Sequence, residues 1–129
     1  MSELKESNLV AVYGSLRRGL GNHGFLRESN LLSTEQVSGF LMKSLGGYPA
    51  VFHDDPDKVI TIEVYEVPEK SMRGLDSLEG HPAWYRRELI ETSQGEAWIY
   101  VMQREYQRPV VESGDWVQYL ENNQFRRAI

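Results

Sequence analysis

The sequence predicts an α+β fold, in which many short strands form a sheet able to curl into a barrel and one or two short helices flank it. Short apolar runs alternate with turns rich in glycine, proline and aspartate, which is typical of strands. The segment 69–79 instead has the spacing of an amphipathic helix. At 129 residues, the chain is expected to form one domain over residues 1–129, and such a domain buries roughly two thirds of its unfolded surface.

The first half of the chain contains three predicted strands and one short helix. Leu9–Val12 is an uninterrupted apolar run, as expected for a strand buried on both faces. Asn22 is a residue type that caps helices, and we predict a short helix from there to about residue 30. Val37–Lys43 has strand composition, with Gly39 assigned to a β-bulge. Ala50–His53 is a brief third strand.

The second half is predicted to form a strand, a helix, a hairpin and a short helical or strand-like flap, in the order Val59–Val67, Glu69–Glu79, Tyr85–Thr92 with Glu96–Arg104, and Asp115–Leu120. Alternating apolar and polar residues make Val59–Val67 the clearest strand. Pro68 suits the start of the helix and Gly80 its end, because glycine readily adopts the left-handed backbone found after helices.

Composition excludes several classes of function. The chain has no cysteine, which rules out thiolate nucleophiles, zinc–cysteine sites and disulfides. Its formal net charge of −5 argues against a nucleic-acid partner, since phosphate binding requires a basic surface. No apolar stretch approaches the ~20 residues that cross a bilayer, and the acidic, polar start is unlike a secretion signal. We therefore expect a cytoplasmic protein that binds neither membrane nor nucleic acid.

The end of the first strand has the composition of an anion-binding loop. Leu9–Val12 is followed at once by Tyr13, Gly14 and Ser15, and then by two arginines. Glycine lets the backbone turn sharply and approach a small molecule closely. Main-chain N–H groups exposed at such a turn can bind an anion or an oxyanion. Arg17 and Arg18 are expected to be exposed, with contact to a substrate carboxylate as the alternative.

Glu79 lies on the apolar face of the predicted helix. Met72, Leu75 and Glu79 are spaced i, i+3 and i+7, so the carboxyl group is expected to point toward the core or a cavity. Burial and the helix dipole would both favour its neutral form and raise its pKa, and a nearby Asp76 would raise it further. The alternative is that Glu79 reaches solvent or pairs with an arginine of the next strand, Arg86 or Arg87.

The order of these motifs resembles the γ-glutamylcyclotransferase-like superfamily, and is most similar to γ-glutamylamine cyclotransferase and its small bacterial relatives. The resemblance spans about residues 10–100. The segments that carry it are Tyr13-Gly14-Ser15-Leu16, Arg18-Gly19, Asn22-His23, Tyr48-Pro49, Glu63-Val64-Tyr65, Leu75-Asp76-Ser77-Leu78-Glu79-Gly80 and Tyr85-Arg86-Arg87. It implies a mixed, partly closed β-barrel with short flanking helices and a cavity beside the first loop.

The resemblance also implies an activity and a set of site residues. Enzymes of this kind cyclise the γ-glutamyl part of an amide to 5-oxoproline and release an amine. Glu79 corresponds to the residue that accepts and donates the proton, and Tyr13, Gly14, Ser15 and Leu16 to the loop that binds the glutamyl group. Tyr85 matches a tyrosine of the pocket wall. The nucleophile belongs to the substrate, so the resemblance implies neither a cofactor nor a metal.

Other site chemistries fit the sequence less well. Ser15 lacks the glycine-x-serine-x-glycine pattern of a nucleophile elbow, and the loop lacks the lysine of a phosphate-binding P-loop. The three histidines, His23, His53 and His81, lack the spacing of metal ligands. A non-catalytic protein that binds a small carboxylate or regulates a partner through the same cavity is the alternative to an enzyme. Either interpretation requires Glu79 and the first loop to meet in one pocket.

Overall fold

The computed structural model describes residues 7–21, 23–81, 83–104 and 107–128, which form a mixed α+β fold. Its elements in chain order are β1 (Ser7–Val12), a 3₁₀ helix (His23–Leu26), β2 (Asn30–Ser38), β3 (Phe40–Ser44), β4 (Pro49–His53), β5 (Val59–Pro68), α1 (Glu69–Glu79), β6 (Tyr85–Thr92), β7 (Gly95–Met102) and α2 (Trp116–Ala128). Five strands form one sheet in the order β2-β5-β1-β7-β6, and β3 and β4 form a separate two-stranded sheet.

Strand β1 occupies the centre of the large sheet. It pairs antiparallel with β5 on one side and parallel with β7 on the other. Val10, Ala11 and Val12 are all buried, which confirms the prediction of a strand covered on both faces. The loop that follows β1 therefore leaves from the interior of the molecule.

The core lies on both faces of the large sheet. Met72 and Leu75 of α1 pack in one cluster with Val10 and Val67. Trp116 of α2 packs in a second cluster with Ile60, Ile62 and Val64, which lie on the opposite face of β5 from Val67. Burying one such side chain stabilises the fold by about 1.5–3 kcal/mol, so each helix is held by its apolar face. The predicted flap at the chain's end is thus helical.

The α+β fold is confirmed, whereas the predicted partly closed barrel is not, since the described strands form no closed barrel. Among the described residues no ladder of main-chain hydrogen bonds joins β2 to β6, the outer strands of the large sheet. The two edges approach each other through side chains. Glu35 of β2 accepts hydrogen bonds from the main-chain N–H and the hydroxyl of Ser93, at 3.0 and 2.6 Å.

Two predicted elements are wrong. The predicted strand Val37–Lys43 is the junction of β2 and β3, and Gly39 is its turn, with φ of +93°. Gly39 donates to the carbonyl of Lys58 and accepts from the N–H of Asp54. The predicted helix over 22–30 is limited to the single 3₁₀ turn His23–Leu26, and its predicted cap, Asn22, lies outside the described residues. No helix in the described part of the chain is long and apolar enough to cross a membrane.

Candidate active site

A cavity of about 730 Å³ opens where the loop after β1, the end of α1 and the turn between β3 and β4 come together. Its walls include every site residue predicted from the sequence: Tyr13, Gly14, Ser15, Leu16, Glu79 and Tyr85. The remaining lining residues are Ala11, Val12, Leu45, Gly47, Tyr48, Pro49, Ser77, Leu78, Gly80, Trp84, Tyr100, Met102 and Arg108. The structure thus brings together two segments that are more than sixty residues apart in the chain.

The loop after β1 is shaped by a turn and by close packing. The N–H of Arg17 donates to the carbonyl of Gly14 at 2.9 Å, which closes the turn. A Cβ atom at position 14 would lie 2.8 and 2.9 Å from the ring carbons of Pro49, so any side chain there would force the loop or Pro49 to shift. Glycine is therefore favoured at this position, because the β3–β4 turn packs directly against the loop.

The end of α1 is fixed by a left-handed residue. Gly80 has φ of +65° and the N–H of His81 donates to the carbonyl of Asp76 at 2.9 Å, the pattern of a Schellman cap. The predicted bounds Glu69–Glu79 are confirmed. Trp84 packs against Gly80, where an added Cβ would lie 2.8 Å from the indole Cδ1. Glu79 is thus the last helical residue, held at the cavity wall.

Glu79 is half-buried, and burial raises the pKa of its carboxyl group to about 7. The predicted alternative, an ion pair with Arg86 or Arg87, is not found among the described residues: the Nε of Arg87 lies 3.2 Å from Oδ1 of Asp76. Asp76 also accepts a hydrogen bond of 2.6 Å from the hydroxyl of Tyr100. The expected contribution of Asp76 to the pKa of Glu79 is not found, and burial alone accounts for the rise.

Two tyrosine hydroxyls of the cavity donate hydrogen bonds to main-chain carbonyls. Tyr13 donates to the carbonyl of Tyr100 at 2.6 Å, and Tyr85 donates to the carbonyl of Pro49 at 2.9 Å. Burial raises the pKa of Tyr13 well above its usual range, and the neighbouring Tyr85 and Glu79 raise it further. A phenol that donates its hydrogen in this way can still accept a hydrogen bond from an N–H group at its oxygen.

Arg17 is buried, contrary to the expectation that it is exposed. Its side chain is 8% exposed, and its Nε and Nη1 lie 2.9 and 2.8 Å from carboxylate oxygens of Glu63 and Asp115. Glu63 also accepts the main-chain N–H of Arg18 at 2.9 Å. The N–H groups of residues 17 and 18 are thus engaged within the protein. Arg18 has the exposed side chain that the sequence predicted.

Sequence reasoning missed several side chains of the cavity. Tyr48 was quoted only as part of a motif, and Trp84, Tyr100 and Arg108 were not assigned to the site. Arg108 lies between a largely polar segment and the run Pro109-Val110-Val111, and no neighbouring pattern singles it out. In the part of the chain that the structure describes, no group of three His, Asp or Glu side chains is arranged to hold a metal ion.

The fold is that of a small α+β protein with a cavity beside the loop that follows its central strand. The sequence profile of the family described as gamma-glutamyl cyclotransferase, AIG2-like matches residues 10–118. The chain belongs to this family, as the ordered motifs predicted.

Individual relatives cover most of the chain. A Vibrio cholerae relative is 41% identical over 113 residues, which are 86% of this chain and 96% of the relative. The gamma-glutamylcyclotransferase family protein YtfP of Escherichia coli is 36% identical over 113 residues, 84% of this chain and 95% of YtfP. The crystal structure of protein PH0828 from Pyrococcus horikoshii shares the fold, with a TM-score of 0.82, 23% identity, and coverage of 92% of this chain and 98% of that one.

Proposed function

We propose that this protein is a γ-glutamyl cyclotransferase, which converts the γ-glutamyl part of a γ-glutamylamine or γ-glutamyl peptide into 5-oxoproline and releases the amine. The observation that carries the proposal is the presence of Glu79 in the same cavity as the loop 13–16. A carboxyl group with a pKa of about 7 can both accept and return a proton near neutral pH. Membership of the family supports the same activity.

The first step is attack of the substrate on itself. The carboxylate of Glu79 accepts a proton from the α-ammonium group of the glutamyl part. The freed amine forms a C–N bond to the γ-carbonyl carbon, and the carbonyl electrons move to oxygen. Main-chain N–H groups of the loop 14–16 stabilise this oxyanion. The attack is intramolecular, so the main contribution of the cavity is to hold the substrate curled.

The second step releases the amine. Glu79 returns the proton to the nitrogen of the original amide, the bond from that nitrogen to the γ-carbon breaks, and the carbonyl forms again. The ring nitrogen, which carries two hydrogens and a positive charge after the attack, then gives its second proton to the regenerated carboxylate of Glu79, which passes it to solvent and leaves neutral 5-oxoproline. The proton that left the α-ammonium group is thus carried away by the leaving amine. No enzyme nucleophile or cofactor takes part in this scheme.

The other predicted residues bind the glutamyl group. The phenol oxygens of Tyr13 and Tyr85 have donated their hydrogens to the main chain, so they accept hydrogen bonds from the substrate ammonium group. Gly14, Ser15 and Leu16 supply the wall and main-chain contacts of the loop. The cysteine-free composition fits a reducing compartment, and we place the reaction in the cytoplasm.

The proposal is tested by incubating the purified protein with γ-glutamyl dipeptides and γ-glutamyl-ε-lysine and measuring 5-oxoproline by mass spectrometry. We expect turnover, and we expect Glu79→Gln to lower kcat by about 10²- to 10⁴-fold, the usual contribution of a general acid–base. Absence of turnover, with thermal stabilisation by the same compounds in both proteins, would instead identify a carboxylate-binding protein.

A further inference from the structure

The cavity has a buried inner end and an exposed mouth. At the inner end Tyr13, Leu16 and Tyr85 are 7%, 4% and 7% exposed. At the mouth Tyr48 and Trp84 are each 51% exposed. A ligand that enters this cavity therefore has one end among buried side chains and the other between two aromatic rings at the surface.

Arg108 adds a positive charge to the mouth. Its side chain is exposed and lines the cavity. The main chain beside it is fixed to strand β3, because Ser44 donates to the carbonyl of Pro109 at 2.8 Å and Val111 donates to the carbonyl of Met42 at 2.9 Å. Among the described lining residues, the formally charged side chains are Arg108 and Glu79. The backbone that carries Arg108 is therefore anchored at a defined edge of the cavity.

The geometry points to Arg108 as the residue that binds a carboxylate on the leaving group, so that the enzyme prefers γ-glutamyl amino acids and peptides to γ-glutamylamines without a carboxylate. This inference rests on the proposed function. Cyclisation requires the glutamyl part to fold at the inner end, beside the loop and Glu79, which directs the leaving amine toward the mouth. A planar guanidinium there matches a carboxylate in charge and in paired hydrogen bonds.

A matched pair of substrates tests the inference. γ-Glutamyl-alanine and γ-glutamyl-ethylamine release amines that differ only by one carboxylate. We expect kcat/KM of the native protein to be about tenfold higher for γ-glutamyl-alanine, the size expected of one charge-assisted contact. Arg108→Gln is expected to remove that preference by lowering only the γ-glutamyl-alanine value, and Arg108→Lys to retain part of it.

The control is Arg73→Gln, which removes the same charge from an exposed position on α1 outside the cavity lining. We expect it to leave the ratio of the two substrates unchanged. An equal loss on both substrates in Arg108→Gln would overturn the inference, because it would place the guanidinium on the glutamyl carboxylate. Equal native values for the two substrates would also overturn it. Turnover of neither substrate by the native protein would contradict the proposed function itself.

Discussion

Two glutamates of this protein, the buried Glu63 and the half-buried Glu79, have opposite environments. Glu63, in the centre of β5, is 6% exposed and is bound by the guanidinium of Arg17, the N–H of Arg18 and the hydroxyl of Tyr65. Glu79, at the end of α1, has no ion pair or hydrogen bond to its carboxyl group among the described residues, and its pKa is raised to about 7. The paired carboxylate of Glu63 is structural, whereas the unpaired and partly desolvated carboxyl group of Glu79 is able to exchange protons.

The two glutamates act on opposite sides of the same loop. Glu63 and Arg17 hold the far end of the loop that begins at Tyr13, and Glu79 faces the cavity that the near end lines. Asp115 adds a second anchor just before α2. The contacts of Glu63 with Arg17 hold the loop in place, and the position of the loop relative to Glu79 depends on these contacts.

The largest effect on stability is expected when Glu63 is neutralised. Glu63→Gln leaves the buried guanidinium of Arg17 with Asp115 as its remaining ion-pair partner among the described residues. Breaking such a pair costs about 3 kcal/mol of unfolding free energy, to be measured by urea denaturation at pH 8. Glu79→Gln is the matched control and is expected to lose nothing, because it replaces a carboxylate that burial disfavours. Equal losses in the two variants would show that the comparison is wrong.

The unfolding free energy is expected to depend on pH differently in the native protein and in Glu79→Gln. The pKa of Glu79 rises from its usual 4.5 to about 7 on folding, so between these values the folded state holds a proton that the unfolded state has released. The unfolding free energy should therefore fall as pH increases from 4.5 to about 7, by up to about 3 kcal/mol from this group. Urea unfolding from pH 4 to 8 measures it. A native-minus-variant difference that stays constant across this range would contradict the raised pKa.

A smaller effect is expected from substitution of the loop glycine. In Gly14→Ala the new Cβ meets the ring of Pro49, 2.8 Å away, and overpacking of this kind costs about 1–3 kcal/mol. The displaced loop should also lower kcat/KM for 5-oxoproline formation. Gly74→Ala in α1 is the control, because its Cβ comes no closer than 3.9 Å to Phe25. Alanine there should stabilise the helix by about 0.5–1 kcal/mol. Equal behaviour of the two variants would contradict the packing account.

Features that depend on local sequence were predicted well. The inward phase of Glu79 follows from helical spacing, and its position as the last helical residue follows from Gly80. The apolar run before Tyr13 was enough to place β1 inside the sheet. These features are set by residues within a few positions of one another.

Features that depend on distant contacts were missed. Arg17 was expected at the surface because nothing in its neighbourhood shows that Glu63, 46 positions away, is its partner. Most of strand β2 was not predicted, because its residues are largely polar and partly exposed. Its pairing with β5 is what makes this segment a strand. Arg108 lines the cavity because its segment is hydrogen-bonded to β3, and this is a tertiary contact.

The most direct test of the role of Glu79 is the pH profile of kcat/KM for 5-oxoproline formation from γ-glutamyl-alanine. Glu79 must be ionised to accept the ammonium proton, so the rate should rise with pH through an acid limb near 7. The residual rate of Glu79→Gln should lack that limb. A native limb near the usual value of 4.5, or a variant that keeps the native rate and profile, would contradict the role of Glu79 as the group that exchanges the proton.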